Sequence, residues 1–289
     1  MTGAYITPIT RFDALLGDLQ AAATIWTGAG VLPNADEDRW VFRRFDSRLR
    51  IAAIDGITPT KRTARPAGGS GAAWAAGQTQ AALEVPDQPL ADALRIAHQL
   101  LYRPEVPRSR DRPMAAAAAA DLRVSGQELQ GDVAAVCDAD VWFHTPQGAP
   151  AWQQLEHPSG MTPAAYEQFQ AELGRRRALP GAFDWEDWFE AEDRLVGRRD
   201  AWEGPPLGRF PTPPTITTGP IPPGCSTLVV ATDGARLDVD RVANLDSWMD
   251  DLRCWEHSDP QLWHGDVAAV RIRLTGAGAQ HPDRGQQPA

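Results

Sequence analysis

Arg50-Ile51-Ala52-Ala53-Ile54-Asp55-Gly56-Ile57-Thr58 is a run of apolar, β-prone residues that stops on Asp-Gly. A buried strand of this kind presents its terminal carboxylate at the end of a sheet, where the glycine lets the backbone turn. A rigid strand end suits a side chain that must hold a metal ion or a reacting group. The same grammar returns in Ser226-Thr227-Leu228-Val229-Val230-Ala231-Thr232-Asp233-Gly234-Ala235. One strand ending in Asp-Gly is an ordinary turn, whereas two in similar company point to a shared acidic site.

The composition is that of a globular protein. Of 289 residues 43% are hydrophobic and 23% charged, enough for a substantial core. The net charge of −10 argues against a nucleic-acid or anionic-membrane surface, and neither partner is expected. Cys137, Cys225 and Cys254 are widely spaced and form no Cys-x-x-Cys pair, so neither a disulfide framework nor a thiolate zinc site is suggested. Met1-Thr2-Gly3-Ala4-Tyr5 lacks the basic head and apolar run of a signal peptide. No stretch approaches the roughly 18 apolar residues of a membrane span. A cytoplasmic, reduced protein is the expectation.

Working outward from Asp55, the runs at 22–27 and 40–45 read as strands, and Asp46-Ser47 turns the latter into the opening strand as a hairpin, so that an antiparallel sheet presents Glu37-Asp38 and Asp55 from neighbouring strands. Residues 1–21 read as a leader, with a short helical pattern or irregular structure around Phe12–Gln20. A basic Pro/Gly-rich loop, 61–71, precedes an Ala-rich helix from Ala72. Leu90–Tyr102 has helical periodicity, and Pro113 reads as the opening of a helix over Met114–Ala120. Sheet patterns follow at 122–124 and 133–144, and helices at 162–202, with the cluster Trp185, Trp188 and Phe189 at helical spacing. A Pro-rich connector spans 204–223. After the second Asp-Gly strand come an amphipathic helix, 238–255, a last strand, 266–274, and a polar tail, 275–289, expected to be disordered. Strands, then helices, then strands make an α+β pattern with antiparallel sheets flanked by helices. A single domain over 22–274 is expected, with an insertion at about 151–223.

Asp36, Glu37, Asp38, Asp55, Asp138, Asp140, Asp233 and Asp266 all stand at strand ends or turns. Each alone reads as a turn residue or a solvated charge. Brought together they repel unless cations neutralise them, and oxygen donors without His or Cys select hard ions, Mg²⁺ or Mn²⁺. Two such ions can bridge a water, lower its pKa and hold phosphoryl oxygens for in-line attack. His144, His157 and His264 are scattered; His264, a neighbour of Asp266, reads as an incidental surface residue, with support of the site or proton donation as the alternative.

The ordered series Asn34-Ala35-Asp36-Glu37-Asp38, Ile54-Asp55-Gly56-Ile57-Thr58, Gly68-Gly69-Ser70, Val136-Cys137-Asp138-Ala139-Asp140, Thr232-Asp233-Gly234 and Gly265-Asp266-Val267 resembles the motif series of type 2C metal-dependent serine/threonine protein phosphatases. The resemblance covers about residues 22–274. It implies an αββα sandwich of two antiparallel β-sheets flanked by helices, with two Mn²⁺ or Mg²⁺ ions between the sheets. It implies that Asp55 bridges the metals, Gly56 offers its carbonyl, Glu37 and Asp38 serve a metal, and Asp233 is a further ligand, with Asp55 and Asp233 the catalytic pair. Asp138 would serve a third, weaker metal. The implied substrate is a phosphorylated protein or another phosphomonoester. Where the family starts its last strand with Asp-Asp or Asp-Asn, this chain has Gly265-Asp266, which leaves Asp266 as the candidate ligand. The phosphate-binding Arg that many members carry falls at Pro33, and the basic loop offers Arg62 and Arg65, beside Lys61, in its place. The departures leave a second possibility: a catalytically impaired relative that acts as a binding or regulatory module.

Overall fold

The computed structural model describes residues 10–16, 19–26, 38–46, 48–57, 71–106, 112–177, 194–195, 197–232, 242 and 267–274. The opening stretch is a strand, β4 (Arg48–Ile57), buried without interruption from Leu49 to Ile54. It lies between β3 (Arg39–Phe45) and β5 (Met114–Ser125), in registers that pair Arg39 with Ile54 and Asp55 with Ala116. β6 (Glu128–Val136) and β11 (Thr217–Pro220) extend this sheet to the order β11-β6-β5-β4-β3. A second sheet has the order β1-β2-β13-β12-β7-β8. Its strands are β1 (Thr10–Leu16), β2 (Leu19–Trp26), β7 (Asp140–His144), β8 (Trp152–Gln154), β12 (Thr227–Ala231) and β13 (Val267–Leu274). Every strand pair in both sheets is antiparallel.

Strand residues alternate between two faces, and β4 and β5 are apolar on both because both are covered. One face carries Ile51, Ala53, Ala116, Ala118 and Ala120 against Val141, Leu228, Val230, Val270 and Ile272 of the second sheet. The other carries Ala52, Ile54, Ala117 and Ala119 against Ala75, Ala76, Leu83, Leu94 and Ala97 of two helices, α1 (Gly71–Leu83) and α2 (Leu90–Leu101). The layers helix, sheet, sheet give the α+β architecture of paired antiparallel sheets expected from the sequence. The expected helix at 238–255 lies outside the described residues, apart from Val242, which is helical and buried.

Between β8 and β11 a small two-stranded sheet, β9 (Gly160–Met161) with β10 (Trp202–Gly204), carries the helix α3 (Pro163–Arg177). Ala165, Ala201, Met161, Leu195 and Trp202 form its own apolar cluster.

Three local expectations are corrected. Met114–Ala120 is strand, not helix: alanine favours helix only where tertiary context leaves the choice open. Here the run lies mid-sheet between β4 and β6, with α1 and α2 close on one side and the second sheet on the other, so small side chains fit. Residues 10–26 form a hairpin, β1 with β2, inside the stretch read partly as leader. Arg11 and Asp13 alternate with Phe12 and Ala14, which is a period of two. The expected hairpin of 40–45 with the opening strand is present as β3 paired with β4, while the run at 22–27 lies in β2, which pairs with β1 and β13. Within the Pro-rich connector, β11 is an edge strand, the place in a sheet where proline is tolerated.

Candidate active site

Asp38 directly precedes β3. Since Arg39 pairs with Ile54, one further step sets Asp38 beside Asp55. Trp40 and Phe42 pack on the core between the sheets, as do Ile51 and Ala53. By alternation Asp38 and Asp55 project into the same inter-sheet space. Asp38 is fully buried and Asp55 half-buried.

The second sheet reaches Asp38 through Thr232. Thr232 follows β12, and its hydroxyl donates to Asp38 Oδ2 at 3.1 Å. The same hydroxyl oxygen accepts the Ala268 N–H at 2.9 Å, and the Thr232 N–H donates to the Ala268 carbonyl at 2.9 Å. A threonine therefore seals the junction of β12 and β13 and aims its proton at a carboxylate of the opposite sheet. Asp233 is the next residue after Thr232, and Asp266 the one before Val267. Glu37, Asp233, Asp266, Arg62 and Arg65 lie outside the described residues, as does the cluster Trp185, Trp188 and Phe189.

Gly56 is buried and pairs with Ala115. The Ala115 N–H and C=O are engaged by Leu207, at 3.3 and 2.9 Å. Successive residues of a strand point these groups to opposite edges, so Ala116 offers its own to Asp55. By the same alternation Gly56 turns its carbonyl toward the β3 side of β4, where Asp38 stands.

Asp138 follows β6 in a turn whose first residue, Cys137, has φ 65°. The carboxyl Oδ1 of Asp138 is out of solvent and takes no hydrogen bond among the described residues. Burial pushes the Asp138 pKa up, and repulsion from Asp140 adds to this. The Cys137 side chain, Asp138's own backbone and His157 oppose the rise. Asp140 accepts from Gln154 Nε2 at 2.6 Å and lies 3.9 Å from His157 Nε2. The Asp140 carboxylate raises the pKa of His157, against desolvation. The His157 side chain is only 3% exposed. Neither this contact nor the role of Thr232 is visible in the sequence: His157 lies in an irregular stretch after β8, and Thr232 meets a carboxylate 194 positions away.

The family resemblance in the sequence implies hard divalent cations at this place. The described donors suit such ions: two carboxylates side by side and a main-chain carbonyl, all oxygen, in an arrangement that a cation relieves of repulsion. Among the described residues no three His, Cys, Asp or Glu side chains form a metal-holding group.

No protein-family model and no curated protein matches the chain's sequence. Solved structures match its fold. RsbX in complex with magnesium is similar with a TM-score of 0.55 at 11% identity, covering 92% of this chain and 100% of that one. A serine/threonine phosphatase of S. agalactiae is similar with a TM-score of 0.55 at 13% identity, covering 89% of this chain and 99% of that one. Serine-threonine phosphatase 2C from Toxoplasma gondii is similar with a TM-score of 0.52 at 12% identity, over 92% of this chain and 99% of that one. The chain thus has the fold of the type 2C phosphatases, as its motif order suggested. Among the described residues no helix is long and apolar enough to cross a membrane.

Proposed function

We propose that this chain is a divergent type 2C-like, metal-dependent phosphomonoester hydrolase, with phosphoserine or phosphothreonine in a protein as its substrate. The observation that carries the proposal is the pairing of Asp38 with Asp55 at the end where Thr232 joins the two sheets. Mn²⁺ or Mg²⁺, when bound, would supply positive charge for the phosphoryl oxygens and acidify a water. Asp55 and the Gly56 carbonyl would hold the ions from β4, with Asp38 and Glu37 from the start of β3 and with Asp233 and Asp266 beyond the ends of β12 and β13. Asp138 would hold a third ion. Thr232 orients Asp38 by donating to it. Arg62 and Arg65 of the basic loop would receive the substrate phosphate. The active unit in this proposal is the paired-sheet body, with 151–223 as an insertion in it.

Turnover of p-nitrophenyl phosphate with and without Mn²⁺, beside Asp55→Asn, tests the proposal. The expected result is Mn²⁺-dependent turnover that falls at least a hundredfold in the variant, on the order of the loss when a group stabilising the transition state is removed. Turnover that survives Asp55→Asn would show that the site is misplaced. A second possibility rests on Gly265, which stands where the family has an acid. A chain that binds Mn²⁺ by calorimetry and turns nothing over is a phosphatase-fold binding module. One that neither binds Mn²⁺ nor turns over substrate is not a metal-dependent hydrolase.

A further inference from the structure

Ala115 has Gly56 on one side and Leu207 on the other. β6 ends at Val136, opposite Ala117, and Cys137 leaves the strand with φ 65°. Beyond that point the edge of β5 is taken over by Leu207, from the return of the insertion. A segment remote in sequence therefore completes the sheet at the end that carries Asp55 and Gly56.

Three contacts fix that segment. The Gly208 N–H donates to His98 Nδ1, in the last turn of α2, at 3.1 Å. Gly208 has φ +82°, and a Cβ there would stand 2.4 Å from the Pro113 carbonyl oxygen and 2.7 Å from Leu101 Cβ, so only glycine fits. The Arg209 carbonyl accepts from Arg112 Nη1 at 2.6 Å, and the Arg209 guanidinium lies over the Trp202 ring at 4.3 Å. His98 is 2% exposed.

We propose that His98 is a positioning residue for the candidate active site. By accepting the Gly208 N–H it holds Leu207 on Ala115, and so fixes the β5 edge against which Asp55 and Gly56 are set. The use of that edge in catalysis rests on the phosphatase function proposed above, whereas the brace itself is a property of the fold. Asparagine carries an acceptor oxygen at the reach of Nδ1, and leucine does not, so His98→Asn and His98→Leu separate the bond from the volume.

Hydrogen–deuterium exchange of peptides covering 50–57, 112–118 and 202–210 reads the brace without requiring activity. His98→Leu is expected to speed exchange in all three about fivefold, the effect of losing one ordinary hydrogen bond, while His98→Asn stays near wild type. In p-nitrophenyl phosphate turnover His98→Leu is expected to lower kcat and leave KM unchanged, with His98→Asn restoring kcat. Faster exchange confined to 202–210 would overturn the proposal, because the contact would then be local. So would a His98→Asn protein that behaves like His98→Leu. Should His98→Leu fail to fold, Arg112→Met frees the Arg209 carbonyl from the other side and is held to the same exchange pattern. Absence of turnover in wild type together with the expected exchange pattern would remove the catalytic use and leave the brace standing. Loss of the pattern with turnover intact would remove the brace alone.

Discussion

Thr232 is the residue on which the two sheets meet, and it makes three hydrogen bonds with one side chain and one amide. Thr232→Val keeps the shape and removes the hydroxyl. It leaves the buried Asp38 carboxylate without that donor and the Ala268 N–H without its acceptor. The expected cost is about 1–3 kcal/mol of stability, read from the urea midpoint, because a buried polar group stripped of its partner costs its desolvation. Thr232→Ser should recover most of it. His98 makes a second prediction, in pH. Burial lowers its pKa from 6.5, partly countered by the Pro211 backbone. The folded state thus binds this proton less readily than the unfolded chain does. His98 contributes no penalty above about pH 6.5, and stability falls as pH drops toward its lowered folded value, by at most about 1.4 kcal/mol per pH unit. Urea midpoints at neutral and mildly acid pH should show a smaller loss in His98→Asn than in wild type. At this scale the carboxylates were legible, since a strand that stops on Asp-Gly announces itself in one dimension. Thr232, His98 and the contact of Asp140 with His157 were not, because Asp38 stands 194 positions from Thr232 and Gly208 110 from His98, and His157 sits in a short irregular segment with no period.

Among the elements, β4, β12, β13, α1 and α2 follow from periodicity, whereas β5 shows where periodicity misleads. Ala52, Ala119 and Ala134 lie abreast across β4, β5 and β6, facing the helices, where Ala75 and Ala76 of α1 belong to the same cluster. Small residues on both surfaces let α1 approach the sheet closely. An alanine run chosen for that reason looks like helix when read alone. Ala119→Leu inserts three carbons where neither surface can withdraw, so it is expected to cost about 1–3 kcal/mol, measured by urea denaturation. A stabilised protein, or one of unchanged stability, would show that α1 is free to move away. The neighbouring buried pair makes the same point about strand context. Arg50, fully buried, donates to both carboxylate oxygens of Asp121, its register partner on β5, at 2.7 and 2.6 Å. It also donates to the carbonyls of Leu83, Val85 and Gln88 in the turn between α1 and α2. An arginine that opens an apolar run reads as the solvated edge of a strand; here it fastens the helical layer to the sheet.

Across the whole molecule, the candidate site occupies the seam between two sheets whose facing sides share one apolar core. Carboxylates from one sheet converge there with the Thr232 end of the other, so electrostatic repulsion in the seam acts on the entire sandwich rather than on a loop. A cation bound between the sheets would bind the folded chain alone, and its binding energy would then add to global stability. At a hundredfold excess of free Mn²⁺ over its dissociation constant that amounts to about 2.7 kcal/mol. For a chain of this size the melting temperature should rise by roughly 5–10 °C, scaling the usual 2–4 °C per kcal/mol. Asp55→Asn removes one carboxylate from the adjacent pair and should abolish most of that rise, while also melting higher than wild type in the absence of metal because the repulsion between Asp38 and position 55 is gone. These two signs together are what a site between sheets requires. An ion held on one sheet or at the surface would leave the metal-free comparison flat, and a chain whose carboxylates are merely turn residues would show neither shift.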